Sequence, residues 1–340
     1  MSYYIYQLKF LSPVHFGDAH SGGGLENSSI DFLADSMFSA ICNEMVSAQS
    51  YDILDNFINL AKDGKLKISD LFPYHSDDKG NTSFYLPRPK IDFNTSIETN
   101  DLKKTRSRLM NEKFLSKEKF FKITELKKVF EMLATEKNRI RGEIKEFANN
   151  SVTTKVNCRN GVSMPYFISS QTFKEGNGLY GIIELNVSDV KEKEEILNQI
   201  QNFIELLGYS GIGGKKSSGY GKFELLDDIL DVAEADFYED IAELNKMLTA
   251  EKAPMYMSVS VLHPFESELS DVKKGWYSIK KRSGFSDNIK RNDIYMIEAG
   301  SCFAKKIAGN IIDVSDKKIN HPVYKYGTGL YVGLGIWRIF

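Results

Sequence analysis

The sequence predicts an α+β fold: an N-terminal ferredoxin-like (RRM-like) domain followed by a second, degenerate and β-rich ferredoxin-like domain. Three observations carry this expectation. Apolar patterning over residues 1–225 runs β–α–β–β–α–β. From Met255 onward strand-like alternation dominates. At 340 residues the chain exceeds what one core usually organises.

The elements follow in order. Tyr3–Phe10 is rich in aromatic and branched residues and reads as a strand, followed by a glycine-rich stretch from Gly17 through Gly22-Gly23-Gly24. Leu33, Met37, Ile41 and Met45 stand four apart, which predicts a helix from about Asp31 to Ala48. Residues 51–100 are mixed, and Leu86-Pro87-Arg88-Pro89 must be extended because of its prolines. Residues 101–155 read as a polar, helical insertion with 15 Lys+Arg against 8 Asp+Glu. Asn160-Gly161 inside Val152–Phe173 predicts a hairpin. After a strand at Leu179–Val187, the stripe Ile196, Leu197, Ile200, Phe203, Ile204, Leu207 predicts a helix capped by Gly208. A basic glycine loop leads to a strand at Tyr220–Leu225. Residues 226–252 read as an acidic linker helix, and 253–340 as the second domain.

With 42% hydrophobic and 26% charged residues, the composition is that of a globular chain and excludes a disordered or collagen-like one. No apolar run approaches the ~18 residues of a membrane span, and the N-terminus lacks the pattern of a signal peptide. Cys42, Cys158 and Cys302 are odd in number and far apart, which fits a reducing compartment; a cytoplasmic location without membrane partners is expected. The formal charge of −2 argues against indiscriminate coating of nucleic acid. It hides strong local polarity, because residues 226–251 carry nine acids and one lysine while Gly208–Lys222 has three cations and no acid.

The sharpest motif is Gly211-Ile212-Gly213-Gly214-Lys215-Lys216-Ser217-Ser218-Gly219-Tyr220-Gly221: two Gly-hydrophobic-Gly units around five residues with two lysines and two serines. Glycines permit close backbone approach and positive φ, while free N–H groups and lysines meet anionic oxygens. Three phosphate or nucleophile motifs fail on spacing. A P-loop would need glycine at Tyr209, a dinucleotide fingerprint would need it at Lys216, and a nucleophile elbow has no spacer between Ser210 and Gly211. A solvated connection with glycines at tight bends is the plain alternative.

This loop, placed between the last helix and last strand, resembles the glycine-rich loop of the RAMP superfamily of CRISPR RNA-binding proteins. Within it the chain is most similar to the Cas-five-like, fourth subunit of type III-A Csm effector complexes, which binds the 5′ repeat-derived tag of crRNA. The resemblance rests on Tyr6-Gln7-Leu8-Lys9-Phe10, His15-Phe16-Gly17, the run Phe32–Ala40, Leu86-Pro87-Arg88-Pro89-Lys90, Tyr209–Lys215 and Lys281-Arg282-Ser283-Gly284-Phe285. It implies a subunit for antiviral defence that binds the tag, docks the large polymerase-like Csm subunit and abuts the backbone RAMP subunit. Carried over, Gly211, Gly213, Gly214, Lys215, Lys216, Ser217, Ser218, Gly219 and Tyr220 contact the RNA backbone or a base, with His15 beside them. Lys281, Arg282, Ser283, Gly284 and Phe285 add cations and a stacking ring; the alternative for Phe285 is an aromatic at a strand end in the second core. The role of 101–155 is left open.

Related RAMP endoribonucleases often place a histidine near the end of the first strand, so a metal-independent endoribonuclease using His15 as general acid/base is the alternative to a non-catalytic subunit. No second base is evident, and a backbone-bonded histidine is the plainer reading. Histidine and cysteine spacing offers no metal site, and no cofactor is expected. Asp35 reads as a first-turn or capping group. The acidic 226–251 stretch reads as a solvated helix or a docking surface for a basic partner.

Overall fold

The computed structural model describes residues 1–17, 24–91, 119–126, 146–159, 162–235, 238–286 and 289–335. In chain order its main elements are β1 (Ser2–Phe10), α1 (Ala34–Ser47), α2 (Tyr51–Lys62), β2 (Leu66–Ile68), β3 (Phe72–Ser76), β4 (Thr82–Pro87) and β5 (Phe120–Lys122). There follow β6 (Ala148–Arg159), β7 (Val162–Phe173), β8 (Asn177–Leu185), α3 (Val190–Ser210), β9 (Phe223–Leu225) and α4 (Glu239–Leu248). The C-terminal part contributes β10 (Met255–Ser258), β11 (Ile279–Arg282), β12 (Ile294–Ile297) and β13 (Tyr331–Leu334), with several two-residue ladders.

The architecture is mixed α/β around an eight-stranded antiparallel sheet ordered β9-β1-β8-β3-β4-β5, with β2 also on β8 and Leu230–Asp231 on β1. Both faces of this sheet are covered, which explains why β1 and β8 are apolar almost throughout. Tyr4, Tyr6 and Leu8 of β1, with Leu179 and Ile183 of β8, point into one cluster with α1, α2 and α3. Their neighbours Tyr3, Ile5, Tyr180 and Ile182 point the other way, onto α4, β10 and β13. Period-two alternation thus feeds two cores from each strand. Val261, Met296 and Tyr326 join the first cluster from beyond residue 252, so the apolar interior crosses the expected domain boundary. Among the described residues no helix is long and apolar enough to cross a membrane.

Several expectations shift. The helix expected over 31–48 is Ala34–Ser47, and a second helix, Tyr51–Lys62, lies in the stretch read as mixed. The helical reading of 101–155 falls largely outside the described residues; within it 123–126 is helical, whereas Phe120–Lys122 and 148–155 belong to strands β5 and β6. Gly208 is not the cap of α3. The helix continues to Ser210 and stops at Gly211, whose φ of +80° suits a glycine, while Gly208 gives the helix its close approach to β9: a Cβ there would sit 2.4 Å from the Phe223 carbonyl oxygen. The strand after the loop is shorter, Phe223–Leu225. The acidic stretch is helical only over Glu239–Leu248, and it is no free linker. Leu230–Asp231 pairs with β1, and Val232, Ile241, Leu244 and Leu248 are buried. Met255–Leu262 is buried on both faces instead of alternating. Residues 336–340, at the end of the β-rich part, and the turn pair Asn160-Gly161 lie outside the described residues.

Candidate nucleic-acid interface

The glycine loop grows from α3, whose start is fixed by Asp189 accepting the Glu192 N–H (2.8 Å) and whose apolar stripe seats it on the sheet. At its far end Ile212 is 1% exposed and plugs the loop into the core. The two Gly-hydrophobic-Gly units lie against each other: the Ile212 N–H donates to the Gly221 carbonyl at 3.0 Å. Gly221, at φ +75°, has no room for a side chain, since a Cβ would stand 1.9 Å from the Ile212 oxygen. Between them Lys216–Ser218 form one 3-10 turn, bracketed by left-handed Lys215 (φ 62°) and Gly219 (φ 84°). A lysine in that conformation is uncommon and costs about 1–2 kcal/mol relative to glycine.

The bonds that hold the loop use the N–H groups of Gly211, Ile212, Gly214, Ser218, Gly219, Tyr220 and Gly221. Those of Gly213, Lys215, Lys216 and Ser217 are outside that set. Lys216, Ser217, Ser218 and Gly219 are exposed, and Gly213, Gly214, Lys215 and Tyr220 are half-buried. The result is a loop closed by its own backbone bonds, with Lys216, Ser217, Ser218 and Gly219 exposed and Lys215 turned to the neighbouring hairpin, chemistry suited to anionic oxygens.

Sequence reasoning missed the second wall of this site. The β6–β7 hairpin pairs in unbroken register from Ala148↔Phe173 to Arg159↔Val162. Lys155 and Tyr166 face each other across it, and both reach the glycine loop. The Lys155 ammonium lies 5.0 Å from the Tyr220 ring centre, and the Lys215 ammonium 5.1 Å from the Tyr166 ring centre. Each wall therefore supplies one cation and one aromatic ring to the other, within cation–π range. A lysine and an aromatic opposed in a hairpin were the available signal; their register requires the turn position.

His15 is 4% exposed and sits at the foot of both walls. Its Nδ1 bonds the Ser169 carbonyl at 2.8 Å, and its own carbonyl accepts the Gly214 N–H at 2.9 Å.

The C-terminal segment expected at the same site is engaged elsewhere. Arg282 does not present its guanidinium to solvent: it donates from Nε and Nη2 to the two oxygens of Asp35 (2.9 Å each) and from Nη2 to Ser36 Oγ (2.8 Å). Lys325 donates to the same carboxylate at 2.5 Å. Burial alone would push the Asp35 carboxyl up; Lys325 and Arg282 overcome that and hold it well below the usual carboxylate range. Asp35 does lie in the first turn of α1, but its partners are these cations and not helix N–H groups. Next to it Asp70 Oδ1 accepts the Ala34 N–H (2.8 Å) and the Val261 N–H (3.0 Å). Burial pushes its carboxyl up to about 7 despite those two bonds.

Lys281 is exposed and paired with Asp293 at 2.8 Å. The Ser283 carbonyl accepts from Arg291 Nη2 (3.0 Å), and the Arg291 guanidinium covers Gly284. Phe285, paired in register with Lys290, is 71% exposed, so it is a surface ring and not part of the second core. Among the described residues no group of three or more His, Cys, Asp or Glu could hold a metal ion.

Three comparisons bear on this geometry. Residues 251–334 match the sequence family described as the CRISPR Csm4 C-terminal domain. Over 99% of its length the chain is 27% identical to the Streptococcus thermophilus protein "CRISPR system Cms protein Csm4", covering all of that protein. It is 26% identical to the Mycobacterium tuberculosis (strain CDC 1551 / Oshkosh) protein of the same description, over 94% of each chain. Among solved structures it is similar in fold to a chain of the Csm3-Csm4 subcomplex of the type III-A CRISPR-Cas interference complex, with TM-score 0.63, 17% identity and coverage of 98% and 99%. A chain of the Csm1-Csm4 cassette in complex with pppApA is also similar, with TM-score 0.56, 17% identity and 98% coverage of each.

Proposed function

We propose that this chain, 26–27% identical to two Csm4 proteins over 94–99% of its length, is a non-catalytic RNA-binding subunit of a type III-A Csm complex. It grips the 5′ repeat-derived tag of a crRNA between the glycine loop and the β6–β7 hairpin, and docks a large polymerase-like subunit and a backbone RAMP subunit. The two solved complexes named above contain Csm4 with Csm3 and with Csm1, which supports the docking role. The observation that carries the RNA reading is the pair of crossed Lys–Tyr contacts. They set two cations and two aromatic rings side by side where the loop meets the hairpin, a combination that serves phosphates and unstacked bases together. The neighbour order β9-β1-β8-β2, with helices after β1 and after β8, is that of a ferredoxin-like unit and supports that fold for the N-terminal part.

The non-catalytic reading is supported by His15, whose ring is buried with Nδ1 committed to a backbone carbonyl. The test is fluorescence anisotropy with a tag-derived single-stranded RNA across a salt series. Replacing Lys215 and Lys216 with Glu weakens binding and flattens the slope of log K against log[salt] by about 0.7 for each phosphate no longer neutralised. An unchanged slope and affinity removes the loop from the interface. Site-specific cleavage of repeat RNA by the wild-type chain, abolished in His15→Ala, overturns the non-catalytic reading.

A further inference from the structure

The stretch Ser12–His15, which leaves β1, is bonded on both flanks. On one side Ser12 Oγ accepts the Lys222 N–H, the Pro13 carbonyl accepts the Gly221 N–H, and the His15 carbonyl accepts the Gly214 N–H, each at 2.9 Å. On the other side Val14 exchanges both backbone bonds with Gln171 of β7 (2.8 and 2.9 Å), and the His15 ring reaches Ser169. A carbonyl oxygen only accepts, so His15 Nδ1 carries the proton and donates it. The ring is also a floor for the loop. Its Cδ2 lies 2.7 Å from where a Cβ on Gly214 would stand, and a Cβ on Gly213 would meet Phe16 at 2.6 Å. Ser169 is three residues beyond Tyr166 along β7, about 10 Å at strand rise. The His15–Ser169 bond, together with the Val14–Gln171 pair, therefore holds the strand whose Tyr166 meets Lys215.

We infer that His15 is a positioning residue of the cleft: its imidazole acts as a fixed spacer and single donor that sets the hairpin base against the glycine loop. The inference rests on the proposal that this cleft takes single-stranded RNA. It assigns the work to Nδ1–H and to the shape of the ring, and none to Nε2. Asparagine at 15 carries an amide donor on the atom that replaces Nδ1, whereas glutamine places its amide one carbon farther out. The two substitutions therefore separate a donor at Nδ1 from chemistry at Nε2.

The test uses the full chain with His15→Asn, His15→Gln and Gly214→Ala. The first readout is hydrogen exchange of the backbone amides over 166–171 in the free protein. The second is the anisotropy of a fluorescein-labelled, unstructured single-stranded RNA of ten nucleotides. His15→Asn keeps the exchange protection of the wild-type chain and an affinity within about twofold of it. His15→Gln and Gly214→Ala lose protection at the hairpin base and weaken binding about five- to tenfold, the equivalent of one buried hydrogen bond. Their urea midpoints stay close to that of His15→Asn, which separates positioning from unfolding. Equal behaviour of Asn and Gln in both readouts overturns the inference, as does protection that survives in Gln and in Gly214→Ala. If the wild-type chain binds no RNA, the RNA reading falls while the exchange pattern still decides whether His15 positions the hairpin.

Discussion

Replacing Arg282 with Met tests whether this arginine belongs to the ion cluster or to a ligand surface. The structure supplies the magnitude. Asp35 is fully buried, the Arg282 side chain is 13% exposed and Lys325 4%, so the three charges interact away from water. Removing one partner of a buried pair costs about 3–5 kcal/mol, because a charge is left without its counter-ion. Lys325 remains on the Asp35 carboxylate, which places Arg282→Met at the lower end, about 3 kcal/mol. An unfolding entropy of roughly 2.1 cal/mol/K per residue makes that a fall of about 4 °C in melting temperature for a chain of 340 residues. Asp35→Asn strands two cations and costs more, whereas Asp35→Asn combined with Arg282→Met costs less than the two singles together, by about 2 kcal/mol. Urea and thermal melts at pH 7 give these differences, and anisotropy at 20 °C gives RNA affinity. The folded Arg282→Met variant binds RNA within about twofold of wild type, since its guanidinium is already spent on Asp35. A melting temperature within 1 °C of wild type together with weakened RNA binding refutes the reasoning and returns Arg282 to the ligand.

Asp70 gives a pH signature. Its folded value of about 7 lies above the unfolded ~3.9, so the folded chain holds the extra proton between those limits and stability falls as pH rises through that window, by up to about 4 kcal/mol. Asp70→Asn keeps an acceptor for the Ala34 and Val261 N–H groups and flattens the fall; urea midpoints from pH 4.5 to 7.5 measure it, and an unchanged slope counts against the assignment. Phe285→Ala changes stability by less than about 0.5 kcal/mol because the ring is 71% exposed. If the ring stacks on a base, RNA affinity falls at least about fivefold, and an unaltered Kd removes Phe285 from the interface. Gly221→Ala and Gly219→Ala form a matched pair. Both alter a positive-φ glycine, but only the first meets a backbone oxygen, so Gly221→Ala costs several kcal/mol and Gly219→Ala about 1–2 in urea melts.

The glycine loop, the hairpin and the helix of 190–210 were legible because each is written in local periodicity or local turn chemistry. What escaped was set by distant partners. Gly208 and Gly211 both look like caps; the choice depends on the backbone of Phe223, which only the fold brings to within reach. Arg282 reads as a surface cation beside two lysines, and its burial follows from a carboxylate 247 residues away. The acidic stretch looks solvated by composition, yet its apolar residues complete the second core. Asp240 shows the same effect, for its two oxygens accept the backbone N–H groups of Phe84 and Thr124 at the edge of the sheet. The helix Tyr51–Lys62 did carry a signal in Ile53, Leu54, Phe57 and Leu60, which recur at helical spacing.

The charge pattern gains a physical sense from these placements. Cations at the glycine loop and the hairpin are exposed or set over rings, so they stay available to an anionic ligand. Cations at Arg282 and Lys325 are buried against Asp35, where they join α1 to the C-terminal strands instead. Asp70 adds a second joint at the same place, linking the start of α1 to Val261. Because the apolar clusters also cross that boundary, the C-terminal part is held to the sheet by both packing and ions. The near-zero net charge thus conceals two separate placements of cations, one kept at the surface of the loop and the hairpin and one turned inward for cohesion.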